Sequence, residues 1–172
     1  KQQGFNVKPG PLRNSYIVES EPVGFTLSES PLFEEGKIYI QRLSSMVPVQ
    51  LMDPQEGERI LDLCAAPGSK TTQIAAVTKG KAQIIAVESN KERVYKLEAN
   101  LSRNDAHAEV IYASGVGLEN KFQLFNEYFD RVLVDAPCSN EGLICLNDPS
   151  SFEYWNPKLP RKISKLKKKL VS

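Results

Sequence analysis

The chain has 172 residues, with 22 Lys plus Arg against 21 Asp plus Glu and 41% hydrophobic residues. This is the composition of about one globular domain, and it excludes a disordered tail or an array of repeats. No apolar stretch approaches the roughly 20 residues a bilayer-spanning helix needs, and the start, Lys1-Gln2-Gln3-Gly4, has no apolar targeting core, so a soluble protein without a membrane partner is expected. Cys64, Cys138 and Cys145 are odd in number and lack Cys-x-x-Cys spacing, which points to a reducing, cytoplasmic compartment. With His107 the only histidine, no zinc or other metal site is expected.

Residues 1–36 are rich in Gly, Pro and Ser and read as an extended segment or linker, with short alternating runs at 15–18 and 24–27 that suggest strands. Residues 37–172 read as one catalytic domain. A third run at 37–41 leads into 43–52, where Leu43, Met46, Val47 and Leu51 can share a helical face despite Pro48. Strand and helix then alternate. Residues 59–63 form an apolar run too short for a helix, 69–77 a helix closed by Gly80, and 82–87 a second buried strand. Ser89-Asn90-Lys91-Glu92 fits a capping box, in which serine and glutamate satisfy free backbone N–H groups. The helix it opens runs to about residue 103 with Val94, Leu97 and Leu101 inward. Strands follow at 109–112 and 131–134, and a last helix at 159–171 places Ile163, Leu166 and Leu170 on one face.

Such alternation gives right-handed crossovers and a parallel sheet, an α/β class whose ligands bind beyond the carboxyl ends of the strands. The site is therefore expected in the loops after Leu63, Val87, Tyr112 and Val134. The first loop, Cys64-Ala65-Ala66-Pro67-Gly68-Ser69-Lys70, uses small residues that let a ligand reach backbone N–H groups at a helix start. It is not a phosphate-binding P-loop: that pattern needs Gly where Ser69 and Cys64 stand. The three-glycine dinucleotide fingerprint fails as well, since only Gly68 is present. Glu88 ends the second strand 20 residues after Gly68, where a carboxylate can accept the hydroxyls of a ribose. Loop and acid together imply an adenosine-type cofactor.

Asp135-Ala136-Pro137-Cys138 follows the fourth strand. Taken with Asp62-Leu63-Cys64-Ala65-Ala66-Pro67-Gly68-Ser69-Lys70-Thr71, Ala86-Val87-Glu88-Ser89-Asn90, and Tyr39-Ile40-Gln41 before Ser44-Ser45, it resembles the RsmB, Sun and nucleolar-protein family of RNA cytosine-5 methyltransferases. The resemblance spans about residues 36–171. It implies a Rossmann-like methyltransferase fold with S-adenosylmethionine as cofactor, held by Cys64, Ala65, Ala66, Pro67, Gly68, Ser69 and Lys70, with Glu88 on the ribose and Asp135 between cofactor and base. It implies ribosomal or transfer RNA as partner and 5-methylcytosine as product.

C5 of cytosine is too weak a nucleophile to take a methyl group until a thiolate adds at C6, so covalent catalysis is needed. In the family a carboxyl group at the position of Asp135 stabilises charge near N3, the cysteine at the position of Cys138 assists release, and Lys70 is placed to orient the pyrimidine or favour thiolate. The family's attacking thiol belongs to a Thr-Cys pair that these residues do not contain. The fold is thus expected to be incomplete at its C-terminus, the fourth strand left as an unpaired edge, the parent longer and this chain alone inactive. A domain that binds cofactor or RNA without turnover is the alternative. DNA cytosine methylation through Cys138 and adenine methylation are weaker rivals, the latter because its sites present an aromatic after Asp/Asn-Pro-Pro. Ser114 stands where the family places an aspartate on the adenine. Trp155, beside Tyr154, is expected in the core rather than stacked on an RNA base, Cys145 is expected to be inert, and His107 to be solvated. Seven basic residues from Lys158 to Lys169 leave fifteen bases against all 21 acids in the rest of the chain, a charge asymmetry suited to a polyanion.

Overall fold

The computed structural model describes residues 4–118, 128–153 and 155–171. Four parallel strands form the centre: β3 (Arg59–Asp62), β4 (Gln83–Glu88), β5 (Glu109–Tyr112) and β6 (Arg131–Leu133), in the order β5-β4-β3-β6. An antiparallel hairpin, β1 (Asn6–Pro9) with β2 (Tyr16–Ser20), precedes them. Among the described residues the α-helices are α1 (Pro31–Glu34), α2 (Leu43–Met52), α3 (Ser69–Val77), α4 (Lys91–Arg103) and α5 (Lys158–Leu170). None is long and apolar enough to cross a membrane.

Both faces of the sheet are covered, which is why its strands read as apolar runs. On one face Ile60, Ile84 and Leu133 meet Val49 of α2 and Ile74 and Ala75 of α3, while Ala86 meets Leu97 and Leu101 of α4. On the other face Leu61, Leu63 and Val87 pack with Ala113 and Leu118. The end of α5 comes to this face too, where Leu170 closes over Gly115 so tightly that a methyl group there would meet Leu170 Cδ2 at 3.0 Å and the Leu63 carbonyl oxygen at 3.1 Å. Ile163, Leu166 and Leu170 form the half-buried side of α5. β6 is an edge strand with Val132 49% exposed.

The structure departs from the sequence reading at several points. Residues 24–27 are not a strand, whereas 6–9 is one. The cap of α4 is Asn90, whose Oδ1 accepts from Arg93 N–H at 3.0 Å; Ser89 instead donates to Glu88. In α2 it is Val49 that is fully buried, while Val47 and Leu51 are exposed. That helix is apolar all round, so periodicity alone selects no side, and packing against Ile60 and Ile74 decides. Trp155 is 39% exposed, outside the core, in a segment of short turns between β6 and α5. Tyr154 lies outside the described residues. His107 is exposed, as expected, with Asp105 3.8 Å away.

Candidate active site

The order β5-β4-β3-β6 reverses direction between β3 and β6, and a crevice opens at such a reversal beyond the carboxyl ends of the strands. Backbone hydrogen bonds continue past the strand tips and lock the loops together. Leu63 N–H donates to the Leu133 carbonyl (3.0 Å), Ala65 N–H to Val87 (3.0 Å) and Ala113 N–H to Glu88 (3.1 Å). Glu88, the loop 64–68, Ser114 and Asp135 therefore lie along one edge.

Gly68 turns the loop into α3 with φ +106°, a left-handed value that favours glycine, and a side chain there would meet Leu97 Cδ1 at 3.0 Å. No side chain caps α3. Among the described residues its opening N–H groups have no side-chain partner of the kind a helix start normally finds.

Lys70, in the first turn of α3, reaches across the reversal point. Its Nζ lies 2.6 Å from Asp135 Oδ2 and donates to Ser45 Oγ at 3.1 Å. The lysine side chain is 12% exposed and the aspartate 50%. Cys138, on the same loop as Asp135, is exposed, and its thiol donates to Asn140 Oδ1 at 2.9 Å. Cys145 is exposed, and its own backbone N–H donates to Ser151 Oγ at 2.8 Å.

Glu88 is buried. Its Oε1 accepts from Asn90 N–H (2.9 Å) and Ser89 O–H (3.4 Å), and its Oε2 pairs with Arg93 Nη1 at 3.2 Å. Arg93 also donates from Nη2 to the Ala66 carbonyl, so one guanidinium joins the acid to the loop. Asn100 Nδ2 donates to the Pro67 carbonyl at 2.7 Å. Beneath the loop Asp62 is fully buried, accepting from Thr71 O–H at 2.8 Å and Cys64 N–H at 3.4 Å. Burial lifts its carboxyl to about 6, against the pull of those hydrogen bonds and of Lys70. Burial, together with the negative charges of Asp62, Glu88 and Asp135, pushes the half-buried Cys64 thiol up to about 11. Cys64 is thus a wall of the loop at neutral pH and no nucleophile. Ser114 is exposed, and its hydroxyl accepts from Val116 N–H at 3.1 Å.

The predicted residues Cys64 to Lys70, Glu88, Asp135 and Cys138 thus gather on the loops of one sheet edge, with the side chains of Lys70 and Asp135 in direct contact. Ser45, Arg93 and Asn100 were not among them. Arg93 had a legible signal: first-turn side chains of a helix point back toward its N-terminus, and so toward the strand that precedes it.

Residues 49–172 match the model of the family described as 16S rRNA methyltransferase RsmB/F. The chain belongs to that family of RNA methyltransferases. It is 39% identical over 177 residues to ribosomal RNA small subunit methyltransferase F of Cronobacter sakazakii, covering 98% of this chain and 35% of the relative. It is 38% identical over 144 residues to ribosomal RNA small subunit methyltransferase B of Photorhabdus laumondii, covering 84% and 32%. Among solved structures, NSun6 from Pyrococcus horikoshii with SFG superposes with a TM-score of 0.73 at 31% identity, over 85% of this chain and 36% of the other. The chain spans about a third of the length of the curated RsmB/F relatives it matches. Its fold is the Rossmann-like methyltransferase fold.

Proposed function

We propose that this chain carries the cofactor site and part of the base site of an S-adenosylmethionine-dependent enzyme forming 5-methylcytosine in RNA. The observation that carries the reading is the Lys70–Asp135 pair at the reversal of strand order, 2.6 Å long, with Cys138 on the same loop.

The donor set suits the cofactor. A carboxylate has about four lone-pair positions. On Glu88 the Asn90 and Arg93 contacts take two, the 3.4 Å Ser89 contact holds a third weakly, and one is left. If the weak Ser89 contact is released, two positions are open for the two hydroxyls of a ribose. The uncapped start of α3 offers N–H groups to the carboxylate of a methionine moiety, and Cys64, Ala65, Ala66, Pro67, Gly68 and Ser69 leave room for it. When bound, S-adenosylmethionine supplies an electrophilic methyl group. The carboxyl group of Asp135 donates a proton to cytosine N3 as a thiolate adds at C6, offsetting the charge that develops there, and takes it back when the thiolate leaves; Lys70 keeps that group in place. C5 then takes the methyl group. Cys138, exposed beside them, assists loss of the C5 proton to a base and departure of the thiolate, which restores the aromatic ring.

The names of the relatives point to small-subunit ribosomal RNA as substrate, with transfer RNA as the alternative. Since the 172 residues contain no Thr-Cys pair, we infer that by themselves they bind cofactor without turnover. Calorimetry with S-adenosylmethionine should give saturable heat that Glu88→Ala abolishes. Incubation with RNA and labelled cofactor should leave the RNA unlabelled, whereas the RsmB/F-length protein should place label on cytosine C5. Label at any other atom would sink the reading.

A further inference from the structure

We propose that Ser45 is a positioning residue of the base site: through Lys70 it sets where the carboxylate of Asp135 stands. This deepens the reading above and rests on it for its functional meaning. The starting fact is an asymmetry in what holds the lysine. Asp135 sits half-exposed on an irregular loop after the edge strand β6, so its side chain has little packing to orient it. Lys70 is mostly buried, but its four-carbon stem turns freely, and a lone contact to a half-solvated carboxylate is weak restraint for it. The hydroxyl of Ser45, accepting at 3.1 Å, is the second point that defines the ammonium's place.

Ser45 is itself well anchored. α2 is seated by the fully buried Val49 against Ile60 and Ile74. One turn further along α3 than Lys70, Gln73 Nε2 donates to the Met46 carbonyl at 3.2 Å, a second tie between the same two helices. The neighbouring Ser44 is exposed, on the other side of the helix. Position therefore passes from the core, through α2 and Ser45, to the lysine and then to Asp135. An ammonium has three N–H donors. Ser45 and Asp135 take two, and the third has no acceptor among the described residues, which leaves it to a pyrimidine oxygen.

The test uses residues 1–172 with 15N-labelled lysine and NMR of the side-chain ammonium groups, the Lys70 signal being assigned by its loss in Lys70→Arg. The expected result is a Lys70 ammonium that exchanges its protons more slowly than the solvated lysines of α5. Ser45→Ala should speed that exchange roughly fivefold, the worth of one ordinary hydrogen bond, and shift the 13C carboxylate signal of Asp135. Ser45→Thr, which keeps the hydroxyl, should restore both. Thermal melts and backbone amide spectra establish that the variants are folded. Ser45→Ala leaving both signals unmoved would overturn the proposal, as would a wild-type Lys70 exchanging like a solvated lysine. Calorimetry with S-adenosylmethionine on the same samples reads the proposed function separately: absent heat refutes cofactor binding without touching the Ser45 result.

Discussion

Asp62 lies 1% exposed under the loop that opens α3, and its carboxyl is lifted from 3.8 to about 6 chiefly by loss of water. A raised acid favours the folded state while protonated. Its contribution is therefore fully present below about pH 4 and is lost as pH rises through 6, by about 3 kcal/mol at most. Asp62→Asn keeps an acceptor for the Thr71 hydroxyl and removes the titration. Urea unfolding of both proteins from pH 4 to 7 should show the variant gaining on the wild type across that window; parallel pH profiles would refute the assignment. The thiols differ by the same physics. Cys64 is half-buried and pushed to about 11, so at pH 7.5 it should react with iodoacetamide about a hundredfold more slowly than an ordinary cysteine. The exposed Cys138 and Cys145 should be alkylated first, as peptide mass mapping would show.

Helix α4 touches the loop proposed to hold the cofactor at three successive residues: Arg93 on the Ala66 carbonyl, Asn100 on the Pro67 carbonyl and Leu97 against Gly68. The loop is thus shaped by an element that need not meet the cofactor. Asn100→Ala should weaken S-adenosylmethionine binding about fivefold, the worth of one hydrogen bond, and speed amide exchange in 64–69, with little change in melting temperature because the contact is exposed. Unchanged affinity would refute the buttress. The elements around this loop were legible in the sequence, since β3 to β5 are short apolar runs between turn signals and α4 carries Val94, Leu97 and Leu101 at helical spacing. The hairpin was only half-legible. Ile17 and Val18 announce β2, but β1, Asn-Val-Lys-Pro, becomes a strand only through pairing with it. The run 37–41 has alternation yet finds no partner strand. The site divides similarly. Loop and acid show as motifs, whereas the meeting of Ser45, Lys70 and Asp135 depends on how α2 docks, and an all-round apolar helix does not disclose its docking face.

At the scale of the molecule the charge is divided as the sequence suggested. The half-buried side of α5 holds Ile163, Leu166 and Leu170, and Leu170 closes over Gly115 next to the β5 tip, so the C-terminal end of the helix sits beside the strand-tip edge. Its outward side carries Arg161, Lys165 and Lys168, all exposed. On the proposed function, cations exposed along this helix would give an RNA backbone a place to lie, contributing affinity without sequence preference. Replacing Arg161, Lys165 and Lys168 together by serine should therefore weaken binding to single-stranded RNAs of different sequence alike. It should also flatten the dependence of log K on log salt by about 2, at roughly 0.7 for each phosphate neutralised on a single strand. Fluorescence anisotropy across a salt series measures both. S-Adenosylmethionine binding should stay unchanged, because these exposed side chains make no hydrogen bond or ion pair with residues 64–70 among the described residues. A slope equal to that of the wild type would place the RNA on another surface.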